Sequence, residues 1–150
     1  MRTIGKYTRV LRASQEEYAD GIVKKYDAAA PHPASERRTP AATRSERPEH
    51  MGSPGERAHD CRTYVGALMY VVRGTRPDAT YAVNRLARNV TCWTKADDAA
   101  LCHLVGYLKE SASFGLEMHV DVRDRKAGLW LELWTDADHA GDADLRSTGA

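Results

Sequence analysis

Apolar residues recur along this chain with two different periods, and a stretch that follows neither separates them. In "KYTRVLRAS", Tyr7, Arg9 and Leu11 alternate with Thr8 and Val10, the pattern of a short strand. "SQEEYADGIVKKYD" changes the period: Tyr18, Ile22 and Tyr26 recur every fourth residue and predict a helix with one apolar face. Ser14 is placed to cap it, Glu17 to complete a capping box, and Lys24 and Lys25 to sit in the last turn, where the helix dipole favours cations. A single helix of this kind needs a partner surface to be stable.

The helical period returns in "CRTYVGALMYVVRGT", whose apolar density predicts a buried helix from about Asp60 to Arg73, closed by Gly74. In "TRPDATYAVNRLARNVT", Pro77 suits a first helical position, and Ala79, Ala82, Val83, Leu86 and Val90 keep the spacing. Thr94 and Asp97 start a third helix through Lys109, with Ala100, Leu101, Leu104, Val105 and Leu108 as its buried side. After Ser113 the pattern alternates instead. "SFGLEMHV" and "GLWLELWTD" read as two strands of a hairpin around a charged loop, "DVRDRKAG". In the second strand Leu129, Leu131 and Leu133 share one face and Trp130, Glu132, Trp134 and Asp136 the other, so Asp136 projects from a strand end.

Between these parts, five of the six prolines (Pro31, Pro33, Pro40, Pro48 and Pro54) fall within residues 28–60. Pro, Ser, Ala and both charge signs without apolar periodicity predict a mobile linker there. The formal net charge of +1 conceals a gradient: residues 1–60 carry 11 Lys/Arg against 9 Asp/Glu, and residues 121–150 carry 4 against 7. No apolar run reaches the roughly 18 residues of a membrane span, and the N-terminus lacks the apolar centre of a secretory signal. Cys61, Cys92 and Cys102 have neither a paired spacing nor a zinc-binding one, which fits a reducing, intracellular setting in cytoplasm or nucleus.

The densest chemistry lies in "WTDADHAGDADLRSTG", where Asp136, Asp138, Asp142 and Asp144 crowd one turn. Asp136 and Asp138 point the same way if the strand continues, and a divalent cation would relieve their repulsion. Three readings stay open. One is a solvent-facing acidic turn. Another is a calcium loop beginning at Asp136, in which Ala140 and Ser147 occupy ligand positions five and twelve. The last is part of a two-metal nuclease site, whose ions sit roughly 3.5–4 Å apart.

Four blocks, in order, resemble the polymerase polyprotein of copia-type LTR retrotransposons. "SQEEYADGIVKKYD" with "RRTPA" resembles that family's S-Q-x-x-Y helix and later T-P, and "YVGALMYVVRGTRPDATYAVNRLARNV" its segment containing G-x-L-x-Y and T-R-P-D. "GYLKESASFGLEM" is similar to its Y-L-K block, and "WTDADHAGDADLRSTGA" to its D-A-D-x-A-G-D block. The resemblance implies an α+β chain: a small helical thumb/connection bundle followed by a β-hairpin that opens an incomplete ribonuclease H-like sheet. It implies residues 1–27 at the end of a reverse transcriptase palm/thumb, 28–60 as linker, 61–112 as thumb/connection and 113–150 as the start of ribonuclease H.

By the same resemblance Asp136 is the first ribonuclease H carboxylate, with Asp138 beside it as a metal ligand, and Mg²⁺ belongs to the intact parent. Arg73, Arg76, Arg85 and Arg88 are the candidate contacts to an RNA/DNA hybrid, through backbone phosphates. His139 stands where the family has Trp, Glu110 and Ser111 where it has Gly-Thr, and no Y-x-D-D motif is present. The expectation is therefore a fragment that needs the missing parts of the polyprotein and does not catalyse alone. The rival expectation is a non-catalytic nucleic-acid-binding module.

Overall fold

The structure is a computed structural model and describes residues 9–42, 52–120, 122–128, 137–138 and 148–149. Its elements are β1 (Arg9–Ala13), α1 (Glu16–Ala29), α2 (Cys61–Gly74), a 3-10 turn (Pro77–Ala79), α3 (Thr80–Arg88), α4 (Lys95–Glu110), β2 (Leu116–Val120), α5 (Val122–Ala127), β3 (Ala137–Asp138) and β4 (Thr148–Gly149). The chain is α+β and divides into two compact units, Leu11–Met118 and a second made from Met1–Val10 and His119–Ala150.

In the larger unit α1 packs on α2 and α4, α2 on α3, and α3 on α4. Their apolar faces meet in a core that includes Ile22, Leu68, Val71, Val83, Leu86, Leu101, Leu104, Val105 and Leu108. The spacing read from the sequence explains why: each helix turns one stripe inward. Ala100 is an exception, lying exposed on α4, and Val90 is only partly buried. At the start of α4 the Thr94 backbone N–H (2.9 Å) and hydroxyl (2.7 Å) both donate to Asp97 Oδ2. That cap agrees with the expected one.

The expected cap of α1 does not form. Gln15 holds the N-cap position without a side-chain capping bond, and the helix continues to Ala29, so Lys24 and Lys25 are not in its last turn. Gln15 is engaged elsewhere: its Oε1 accepts a hydrogen bond from the Thr75 hydroxyl at 3.0 Å.

The segment expected to be a linker, residues 28–60, is different where it is described. Ala34 is buried, its N–H donates to Asp27 Oδ1 (2.8 Å), and the Arg37 N–H donates to the Gly106 carbonyl (3.1 Å). Lys109 Nζ ties this run down from α4, donating to Asp27 Oδ2 (3.1 Å) and the Ala34 carbonyl (3.4 Å). Further on, the Arg57 guanidinium lies over the rings of Tyr26 (4.4 Å) and Tyr64 (5.1 Å) and donates to Asp60 Oδ2 at 3.0 Å. Backbone hydrogen bonds and cation–π contacts hold these residues, and neither leaves an apolar period in the sequence. Residues 43–51 lie outside the described residues.

β1 and β2 form a two-stranded sheet, so the partner of β2 among the described residues is the N-terminal strand rather than the following one. The charged run read as a hairpin loop is the short helix α5, closed by Gly128 at φ +88°, the left-handed conformation in which glycine ends a helix. The expected second strand, residues 128–136, lies outside the described residues beyond Gly128. β3 and β4 pair antiparallel, Ala137 opposite Gly149 and Asp138 opposite Thr148.

Candidate functional site

The most elaborate polar arrangement surrounds Arg76, which is 1% exposed. The chain enters it directly from α2, and Pro77 then fixes the first position of the 3-10 turn, so Arg76 and Asp78 are held two residues apart on a rigid corner. Arg76 Nε and Nη2 donate to the two oxygens of Asp78 (3.0 and 2.8 Å), a bidentate pair. Nη1 reaches the Ser111 carbonyl (2.9 Å) and Nη2 the Ser111 hydroxyl (2.7 Å) at the end of α4. The Tyr107 hydroxyl donates to Asp78 Oδ2 at 2.5 Å, and the guanidinium lies 5.2 Å from the Tyr107 ring centre and 5.5 Å from that of Phe114.

Burial alone would push the Asp78 carboxyl up, but the hydrogen bonds from Arg76 and Tyr107, with the Arg76 charge, hold it below the usual carboxylate range. Burial and the neighbouring Asp78 together push the Tyr107 hydroxyl up. The result is a charge pair whose donors and acceptors are spent on one another. Chemically it can hold elements together: it joins the corner after α2 to the C-terminal turn of α4, while Thr75 beside it donates to Gln15 at the start of α1. On the neighbouring turns, the Tyr18 and Tyr70 rings meet edge to face with centroids 5.0 Å apart.

An open groove of about 600 Å³ lies between residues 37–42, α3 and the first turns of α4. Ala82, Leu86, Ala96, Ala99 and Ala100 make its apolar surface, and Arg37, Arg85 and His103 bring its basic groups. Asp97 also faces it, but accepts from Asn89 Nδ2 (2.7 Å) as well as from both donors of Thr94. His103 Nε2 lies 3.0 Å from the Thr39 carbonyl and fastens the outer wall of the groove to α4.

Comparison with known proteins gives the chain its relatives. It is 32% identical over 136 residues to the retrovirus-related Pol polyprotein from transposon RE2 of Arabidopsis thaliana, a match covering 89% of this chain and 9% of that protein. The corresponding RE1 polyprotein of the same plant is 30% identical over 136 residues, covering 89% of this chain and 8% of its own length. Over most of its length the chain is thus similar to one segment of copia-type retrotransposon Pol polyproteins, and it spans less than a tenth of the length of these relatives. An uncharacterized mitochondrial protein of A. thaliana is 34% identical over 87 residues, 58% of this chain and 34% of that protein. No protein-family model matches the chain, and no solved structure matches it.

The copia-type blocks thereby acquire places in the fold. Gln15 and Tyr18 of S-Q-x-x-Y, Tyr70 of G-x-L-x-Y, Thr75, Arg76 and Asp78 of T-R-P-D, and Tyr107 and Lys109 of Y-L-K all make the contacts above. Three of the four sequence blocks hold one helical body together.

The residues read as a phosphate-contacting set are not all together. Arg76 is turned inward and occupied, which corrects its assignment: a guanidinium that is buried against Asp78 and Ser111 cannot present itself to a phosphate. Arg73 is exposed in the last turn of α2, while Arg85 and Arg88 are half-buried on α3. Asp136 lies outside the described residues, and the backbone of Asp138 pairs with Thr148. Among the described residues no three His, Cys, Asp or Glu side chains are grouped to hold a metal ion, and no helix is long and apolar enough to cross a membrane. Sequence reasoning missed Arg37, His103 and Cys102 as groove residues, because the strand of chain that forms the outer wall had no apolar period to reveal its packing.

Proposed function

We propose that this chain is the helical connection between the reverse transcriptase and ribonuclease H parts of a copia-type Pol polyprotein, and that it contributes structure rather than chemistry. The parent reactions would be RNA-directed DNA synthesis and cleavage of RNA/DNA hybrids, with Mg²⁺ as the metal. The observation that carries the reading is the Arg76–Asp78–Tyr107–Ser111 network, in which the side chains of T-R-P-D and Y-L-K are consumed by one another. Residues placed this way align helices and have no free group with which to attack or stabilise a phosphodiester. Asp136, with Asp138, is the proposed contribution to a ribonuclease H-like metal site, one that phosphoryl transfer needs further carboxylates to complete.

The test is to incubate the pure chain with an RNA/DNA hybrid and Mg²⁺. Cleavage no faster than the protein-free control is expected. Mg²⁺-dependent cleavage that disappears in Asp136→Asn would contradict the reading.

A second reading, non-catalytic contact with nucleic acid, is favoured by the exposed Arg73 at the end of α2 and by the basic last turn of α3, Arg85 and Arg88. Such contacts release counterions, so binding to a hybrid duplex should weaken steeply as salt rises, and less steeply in Arg73→Met. Salt-independent binding, or none at low salt, would remove it.

A further inference from the structure

We propose that the groove between residues 37–42, α3 and α4 binds a small amphipathic anion: an apolar body with one carboxylate or phosphate. This goes beyond the polyprotein reading and does not depend on it. The groove's volume of about 600 Å³ is the size of small-molecule sites.

Its surface is unusual in one respect. Ala82, Ala96, Ala99 and Ala100 line it together, so the helices bring backbone and methyl groups to the groove and leave the space between them to a ligand. An apolar body can lie against such a surface and lose part of its contact with water.

The charges fix the sign of the ligand. Among the described residues the one carboxylate lining the groove, Asp97, already accepts three hydrogen bonds, from Asn89 and from the Thr94 backbone and hydroxyl. Beyond the Arg37 backbone N–H bond to the Gly106 carbonyl, the guanidiniums of Arg37 and Arg85 have no hydrogen-bond or ion-pair partner among the described residues. Two guanidiniums against one carboxylate, which is already hydrogen-bonded within the protein, leave the described rim of this apolar groove net positive, which favours an anion over a cation. His103, by holding the Thr39 carbonyl, keeps the wall that carries Arg37 in position.

The same chemistry is offered by a free organic acid and by a mononucleotide, and two probes separate them. The full chain is titrated with 2-naphthoate, with thymidine monophosphate and with the neutral isostere 2-naphthamide, followed by amide NMR shifts. At least one of the anions should bind, shifting Ala82, Ala99 and Ala100, and roughly tenfold or more tightly than the amide, the value of one charge-assisted hydrogen bond. Whichever anion binds identifies the source. Arg85→Met should reduce it to the affinity of the amide, and Ala99→Trp, at an exposed helix position, should fill the groove and abolish binding. If Ala99→Trp does not fold, Arg85→Met decides alone. Neither anion binding at millimolar concentration, an equal affinity for the amide, shifts confined to other residues, or unchanged binding in Arg85→Met would each overturn the proposal.

Discussion

Removing the Arg76 guanidinium would leave the Asp78 carboxylate and the Tyr107 hydroxyl without their cation, and the Ser111 carbonyl without its donor. A side chain that satisfies four acceptor positions at once cannot be replaced by an apolar one of similar length. Arg76→Met should therefore destabilise the chain by about 2–4 kcal/mol, less than for a fully buried pair because Asp78 keeps 38% of its side chain in solvent. Arg76→Lys should fall between, keeping the charge but losing the bidentate fork. Urea unfolding measures both, and a loss below about 0.5 kcal/mol in Arg76→Met, the size of an ordinary surface substitution, would contradict the assignment. From sequence, Arg76 reads as one more basic residue near a turn. Its inward orientation depends on Ser111 and Tyr107, more than thirty residues away, and no local period reports a contact at that separation.

Gly106 sets how closely the run after α1 can approach α4. A Cβ there would fall on the Ser35 carbonyl, so the helix carries glycine where the neighbouring backbone passes over it. Helix propensity alone predicts that Gly→Ala in a helix stabilises by about 1 kcal/mol. At Gly66 of α2, where a Cβ meets nothing within 4 Å, that sign should hold. At Gly106 it should reverse, with Gly106→Ala costing about 1–3 kcal/mol and speeding hydrogen exchange at the Arg37 amide. Equal effects at the two glycines would show that the run is not seated on α4.

The elements themselves were legible unevenly. α2, α3 and α4 follow from long 3.6-residue periods, and Thr94 with Asp97 marks the start of α4 because both partners lie within one turn. α5 carries charge at four of its six residues and offers no apolar stripe, so it read as a loop. The cap expected at Ser14 does not form because the N-cap position falls one residue later, on Gln15, whose side chain is engaged with Thr75 in a tertiary bond that local chemistry does not encode.

For the molecule as a whole, acid should be the condition that loosens the larger unit. The Ala34 N–H, with help from Lys109 and against a smaller opposing effect of burial, holds the Asp27 carboxyl below its usual range. Asp78 is held low as well, where Arg76 and Tyr107 outweigh burial. Carboxyls depressed in the folded state stabilise it above the ordinary value near pH 3.9 and lose that contribution as pH falls towards their lower folded values. Stability should thus decline from about pH 5 downward, and Asp27→Asn should flatten part of that limb in thermal melts across pH. An unchanged acid limb in Asp27→Asn would exclude it as a contributor. At this scale the family and the helical body were readable from ordered blocks, whereas the groove was not, since one of its walls comes from a run with no periodic signal.

The central claim, that T-R-P-D and Y-L-K act by fastening the end of α4 to the corner after α2, is most directly tested by a double-mutant cycle. Unfolding free energies of the full chain are compared for Asp78→Ala, Tyr107→Phe and the double variant. A charge-assisted hydrogen bond between these two residues predicts a coupling of about 1 kcal/mol or more, so that the second substitution costs less once the first is made. Losses that add within about 0.3 kcal/mol would mean that the two blocks do not hold each other, and the structural reading of the chain would be wrong.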